Sequence, residues 1–247
     1  MAGHSKWSQI KRKKAVTDQK RAASWGKVIR EITVAAKLGG GDPNANPRLR
    51  LAVEKAKSEN MPNDNIDRAI RKGIGDLEGV DYHENTYEAY GPGGVALFIE
   101  ALTDNVNRTV ADIRHALGKH GGNLGTDGSV AWMFDHRGQI VFDASKYEES
   151  TLLEAALEAG AQDMEAEDEE LTLYTDVGDF HSVQDSLRKR GLRWEDAELA
   201  MVPKSFVRVE GKDAEKLLKL LDALEDSDDV QKVYTNADIA EESLIEA

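Results

Sequence analysis

Residues 139–200 read QIVFDASKYEESTLLEAALEAGAQDMEAEDEELTLYTDVGDFHSVQDSLRKRGLRWEDAELA, and the order of elements in this stretch decides the fold. Segment 139–143 reads as a strand and 151–159 as a helix. Two strands near 163–166 and 171–175, a helix over 180–190 and a strand from Arg193 complete the series. The acidic run at 165–170 is expected at the hairpin turn between the middle strands. The sum is βαββαβ, the split ferredoxin-like order.

On the N-terminal side, 86–90 and 95–102 read as strands around the turn Gly91-Pro92-Gly93-Gly94. A helix with Val110, Ile113 and Leu117 on one face follows, and 130–134 resumes as a strand. On the C-terminal side there is a helix over 214–224 and a strand over 230–235. The ββαβ and αβ fragments are each too small for a sheet domain, so they are expected to combine around the βαββαβ unit. Residues 80–134 and 203–240 then make one discontinuous domain, with 135–202 inserted into it.

The first 73 residues follow another period. Ala22, Trp25, Ile29, Ile32 and Ala36 recur at spacings of three and four, one face of a helix over 18–38. Lys20, Lys27, Arg30 and Lys37 fall about 150° away around it. Gly39-Gly40-Gly41 stops this helix, and Asn46-Pro47 starts the next, with asparagine as cap and proline at the first helical position. Leu49, Ala52, Val53 and Ala56 mark its buried stripe. A third helix begins at Asn63, carries Ile66, Ala69 and Ile70, and is expected to end at Gly73 acting as a C-cap. Residues 73–79 form a linker, so 1–79 is expected to be a basic helical domain with its linker. The fold class expected is α+β multidomain, with an N-terminal three-helix domain followed by two ferredoxin-like α+β domains, one inserted into the other.

The chain has 247 residues, no cysteine and a net charge of −14. Disulfides, thiolate metal sites and cysteine nucleophiles are excluded, and a cytoplasmic location is expected. No apolar run approaches the roughly 20 residues of a membrane helix, so neither a membrane span nor export is expected. The charge is divided: residues 1–80 hold 17 Lys and Arg against 9 Asp and Glu, while the remainder holds 15 against 37. Residues 1–37 alone hold 10 basic and 2 acidic side chains. A basic module on an acidic body is the pattern of a protein that meets phosphates with one end.

Little catalytic chemistry is visible. His115 and His120 are poorly spaced on a helix to share a metal, and no HExxH, EF-hand, P-loop, dinucleotide or Gly-x-Ser-x-Gly motif occurs. Neither a metal nor a cofactor is expected. Two polar loops stand out. Asp104, Asn105, Asn107 and Arg108 lie at a strand-to-helix junction, where capping explains them. Asn123, Thr126, Asp127 and Ser129 form a second loop, where turn hydrogen bonding explains them. If the loops converge, they could bind a phosphate or an RNA end.

The chain resembles the YebC/PmpR family of probable transcriptional regulatory proteins, related to mitochondrial translational activators of cytochrome oxidase. The resemblance rests on Gly3-His4-Ser5-Lys6-Trp7, Ala36-Lys37-Leu38-Gly39-Gly40-Gly41-Asp42-Pro43 and Asn46-Pro47-Arg48-Leu49-Arg50. Further markers are Tyr90-Gly91-Pro92-Gly93-Gly94, residues 104–109 and 121–129, and Asp229-Val230-Gln231 with Tyr234 and Asn236. It implies a helical domain followed by two α+β domains, one inserted in the other, and no enzymatic activity. Ala22-Ala23 stand where the family pattern has Gly-Lys, which removes one charge, and Trp25 replaces a phenylalanine.

These readings lead to a non-enzymatic regulator that binds DNA through its N-terminal domain. The candidate contacts are His4, Lys6, Lys11, Arg12, Lys13, Lys14, Lys20, Arg21, Lys27, Arg30, Lys37, Arg48 and Arg50. Trp7 could stack on a base, although packing accounts for it and for Trp25 more simply. The alternative is a ribosome-associated translation factor that binds ribosomal RNA and relieves stalling at proline-rich sequences, its acidic half meeting ribosomal proteins. A third reading is an enzyme acting on a phosphorylated substrate through the two polar loops.

Overall fold

The structure, a computed structural model, describes residues 18–240 apart from Asp168, and of residues 18–23 the backbone alone. By contact density the described residues divide into two compact units, one of 18–132 with 205–240 and the other of 133–204.

The first unit opens with α1 (Asp18–Gly39), α2 (Pro47–Ser58) and α3 (Asn63–Gly73). Their shared core is Val28, Ile32, Ala35, Ala36, Leu49, Ala52, Val53, Ala56, Met61, Ile66 and Ala69, with Trp25 packed against it. Asn46 holds the α1–α2 corner. Its Oδ1 accepts from Leu49 N at 3.1 Å as the N-cap, while Nδ2 donates to Ala35 O at 2.8 Å and Gly40 O at 2.9 Å. Gly73 closes α3 for a reason other than capping. The positive φ lies at Gly75, and a Cβ on Gly73 would overlap Thr33 O and stand 2.7 Å from Ala36 Cβ. Glycine is required there because α1 and α3 cross closely. Gly73→Ala is expected to cost about 2 kcal/mol by overpacking, read as a lower Tm of the full chain with unchanged helical circular dichroism.

The same unit contains a four-stranded antiparallel sheet of β1 (His83–Tyr90), β2 (Ala96–Thr103), β3 (Asn123–Leu124) and β9 (Val230–Thr235), in the order β3-β1-β2-β9. Helices α4 (Val106–Lys119) and α7 (Gly211–Glu225) cover one face, burying Ile113, Leu117, Leu217, Leu221 and Leu224 against Leu97, Ile99 and Val233. The spatial order is that of a ferredoxin-like sheet with its third strand moved to the front of the chain. The three-residue strands β8 (Val207–Val209) and β10 (Ala237–Ile239) pair in parallel and escape a sequence reading because three residues carry no period.

The second unit is βαββαβ: β4 (Phe134–Asp143), α5 (Glu149–Ala159), β5 (Asp163–Glu167), β6 (Glu170–Thr175), α6 (Phe180–Lys189) and β7 (Asp196–Pro203). All its pairings are antiparallel, in the order β5-β6-β4-β7, the ferredoxin-like arrangement. Glu167 pairs with Glu170 and closes the acidic hairpin.

The fold class is thus α+β, a helical part followed by two sheet-containing parts, one interrupting the other in the chain. One strand is corrected. Residues 130–134 are not a strand of their own; Ala131–Met133 is a short 3-10 turn, and Phe134 opens β4 of the second unit. The place beside β1 belongs to Asn123–Leu124. Val130 is apolar and fully buried, which imitates a strand, but its backbone is held by a side chain described below. Among the described residues no helix is long and apolar enough to cross a membrane.

Candidate nucleic-acid interface

His4, Lys6, Lys11, Arg12, Lys13 and Lys14 lie outside the described residues, as do the side chains of Lys20 and Arg21. The described cations of the set are already engaged. Lys27 Nζ donates to Glu225 O at 2.5 Å, meeting the carbonyl end of α7 where a positive charge is favoured. Arg30 Nη1 lies 3.4 Å from Asp229 Oδ1, and its guanidinium stands 5.7 Å from the Tyr82 ring centre. Lys37 pairs with Asp81. Arg48 holds Glu31 at 2.6 Å and also Glu84. Burial works against its charge, and the two carboxylates more than restore it, so its pKa sits above the ordinary value. Arg50 donates to Pro43 O and Asn44 O, both at 3.1 Å, and so fixes the α1–α2 loop. These cations tie the helical part to the sheet or shape its loop.

The first polar loop is organised by Asp229, whose side chain is 7% exposed. Its Oδ2 accepts from Thr109 Oγ1 at 2.8 Å, Arg108 Nη2 at 2.8 Å and Thr103 Oγ1 at 3.2 Å. Burial pushes the Asp229 carboxyl up, and Arg108 with Thr109 overcomes this, leaving it below the usual range. Asn105 is the N-cap of α4, accepting from Arg108 N at 3.1 Å, and Asp104 pairs with Arg108 at 2.7 Å. Asn107 is exposed. The loop is thus a capped helix start anchored on a buried carboxylate from β9's approach.

The second loop is held by Glu88 of β1. Its carboxylate accepts from Gly128 N at 2.6 Å, Val130 N at 2.5 Å and Ala131 N at 2.8 Å. Gly125 N donates to Glu88 O at 2.7 Å, and Tyr90 Oη and Trp132 Nε1 both donate to Ser129 O at 3.0 Å. Asn123, Thr126 and Asp127 are exposed. The two loops do not converge. Thr103 pairs with His83, the first residue of β1, and Asn123 with Tyr90, the last. Eight residues of strand put about 23 Å between them. A single phosphate site made of both loops is therefore absent. Among the described residues there is also no group of three or more His, Asp and Glu placed to hold a metal.

The TACO1/YebC N-terminal domain model matches residues 5–76, and the model of the TACO1/YebC second and third domain matches 82–237. The chain belongs to the TACO1/YebC family. Among its relatives, a probable transcriptional regulatory protein of Gemmatimonas aurantiaca is 57% identical over 247 residues, covering all of both chains. One of Halothermothrix orenii is 56% identical, covering 100% of this chain and 98% of its own. The crystal structure of a conserved hypothetical protein from Aquifex aeolicus is similar at a TM-score of 0.84 and 46% identity, covering 91% of this chain and 93% of that one.

In the helical part of this TACO1/YebC chain, the cations that are exposed and make no ion pair among the described residues are different ones. Lys55 and Lys57 close α2, and Arg68, Arg71 and Lys72 line α3. The sequence reading passed over them because the charge density of residues 1–37 dominates. The three-and-four spacing of Arg68, Arg71 and Lys72 was the signal available. Of the two acids that shape the loops, Asp229 stood out only as part of a family marker and Glu88 gave no signal: a lone acid in a strand reads as surface.

Proposed function

We propose that this chain is a nucleic-acid-binding regulator of gene expression that grips the DNA backbone through its basic N-terminal domain, residues 1–79, and performs no catalysis. The observation that carries this is the charge division, 17 basic against 9 acidic residues up to position 80 and 15 against 37 beyond it. The names of its relatives as probable transcriptional regulatory proteins support the reading. Phosphate contacts are assigned to Lys6, Lys11, Arg12, Lys13, Lys14, Lys20 and Arg21, joined by Lys55, Lys57, Arg68, Arg71 and Lys72. Lys37 and Arg48 contribute only if phosphate displaces their carboxylate partners.

Each phosphate contact steepens the salt dependence by roughly 0.9 units on duplex DNA. Replacing Lys11, Arg12, Lys13 and Lys14 together by alanine is expected to lower the slope by about 3.6 units. A slope identical to that of the parent chain would remove this surface.

Docking in ribosomal RNA is the second reading, favoured by the character of the exposed set: lysines and arginines that contact phosphate carry no sequence information, which suits structured RNA equally. The acidic part would then face basic ribosomal proteins, in the cytoplasm. Cosedimentation with ribosomes across a salt series, with duplex DNA as competitor, separates the two. Binding that resists DNA assigns the surface to the ribosome, whereas binding lost to DNA returns it to transcription.

A further inference from the structure

Residues 133–204 carry seven Lys and Arg against eighteen Asp and Glu, yet four of the seven fall within 188–194, RKRGLRW, where no acid occurs. The backbone makes this cluster a defined surface. α6 ends at Lys189, and Gly191 takes the left-handed conformation, φ 79°, that favours glycine. Gly191 N then donates to Arg188 O at 3.0 Å and Leu192 N to Leu187 O at 3.1 Å. The chain reverses, bringing the Arg188 guanidinium 5.3 Å from the Trp194 ring centre. Tyr147 fixes the next residue from below, its hydroxyl accepting from Arg193 N and donating to Arg193 O, both at 3.0 Å. Tyr147 and Trp194 each pack edge-on against Phe142, at 5.4 Å and 6.4 Å. These contacts hold the loop in place, and of its cations Lys189 and Arg193 are left exposed.

A cavity of about 440 Å³ lies here, lined by Arg188, Gly191, Leu192, Arg193 and Trp194. A second, of about 260 Å³, adjoins it across Leu192 and includes Tyr147 and Arg190. Arg188 pairs with Asp185 at 2.9 Å and Arg190 with Glu158 at 2.6 Å. Lys189 and Arg193 are exposed and make no ion pair among the described residues. An indole and a leucine beside two available cations match the alternation of flat base and charged phosphate along an unpaired strand. A duplex hides its base faces and would use only the charges.

We propose that residues 188–194 form a second nucleic-acid surface that takes a short stretch of single-stranded nucleic acid, bases against Trp194 and Leu192 and phosphates on Lys189 and Arg193. It rests on the proposed function only in that the ligand is nucleic acid, since it uses no residue of the N-terminal domain.

The test uses the full chain, a labelled oligouridylate of roughly 12 nucleotides, within the usual site sizes, and a duplex DNA control. The double variant Lys189→Glu, Arg193→Glu is expected to bind the oligouridylate at least tenfold more weakly, with a salt slope lower by about 1.4 units for two lost contacts. Its Tm should match the parent, and its duplex affinity should fall by less than its oligouridylate affinity, because a duplex loses only charge contacts there. Ultraviolet crosslinks of the parent to the oligouridylate should map to the peptide containing 188–194, a readout independent of any variant's folding. Unchanged affinity and slope with crosslinks elsewhere would overturn the proposal, as would displacement by polyglutamate at equal charge concentration. If the parent binds duplex but not the oligouridylate, this surface fails and the N-terminal reading stands. Oligouridylate binding lost in the double variant, beside a duplex slope indifferent to Lys11, Arg12, Lys13 and Lys14, would leave this surface standing and the other fallen.

Discussion

Asp229→Ala is expected to destabilise the unit that holds the helical part and the first sheet by roughly 3–5 kcal/mol, the usual cost of removing one member of a buried, hydrogen-bonded charged cluster. The residue supplies one oxygen to two buried threonine hydroxyls and an arginine, and its other oxygen to Arg30. Thr103 and Thr109 are 0% and 1% exposed; Thr109 Oγ1 can turn to Asn105 O at 3.1 Å or to Thr103 Oγ1 at 2.8 Å, so the lost acceptor is felt most at Thr103. Arg108 is 45% exposed and contributes little to the loss, because solvent rehydrates it. For a unit of this size the shift in Tm should be about 10 °C. Asp229→Asn keeps one acceptor and should fall between. A loss below about 1 kcal/mol in calorimetry would show that the cluster is solvated and unimportant.

Glu88→Ala should cost a comparable amount, roughly 3 kcal/mol, by a different route. Three backbone N–H groups, those of Gly128, Val130 and Ala131, converge on this carboxylate, and the described residues provide no other acceptor for them. Losing it should release the 125–131 loop before the sheet melts, seen as faster amide hydrogen exchange confined to those residues. Uniform acceleration throughout the sheet would contradict that local role. Burial pushes the Glu88 carboxyl up, but the three N–H groups prevail and hold it below its ordinary value, as Arg108 and Thr109 do for Asp229. A carboxyl whose folded pKa is depressed contributes in full above its unfolded pKa and loses that contribution as pH falls through the folded value. Stability should therefore be level down to about pH 5 and decline below about pH 4. In the double variant Glu88→Gln, Asp229→Asn this decline should be shallower, from a lower starting stability.

The helices were legible because each repeats its period several times, as α1 does over its 22 residues, whereas of β4 the reading caught only 139–143 and assigned Phe134 to a separate strand. The ferredoxin-like order of the second unit followed directly. What stayed hidden lacks a period or acts at a distance. β3 has two residues, and Asn123 reads as turn chemistry whether or not it pairs with Tyr90. Arg30 and Lys37 were legible as cations, but their partners Asp229 and Asp81 are far along the chain, and sequence gives charge without giving its neighbour. The convergence of the two loops depended on sheet register, which only the pairing of β1 with β2 and β3 determines.

The interruption of the first sheet sets an order of events during synthesis. Strand β2 pairs with β9 across on the order of 130 residues, as in the match of Ala101 with Val230. Between them the ribosome delivers all four strands of the second unit, whose ends already meet where Lys204 N donates to Met133 O at 2.9 Å. At elongation rates of about 5–20 residues per second, the edge of β2 stays open for roughly 10 seconds while the later-encoded unit finishes folding. The inserted unit is thus complete before the first sheet is, and a nascent chain stalled between positions 205 and 230 would present an unpaired apolar strand edge to the chaperones near the tunnel exit.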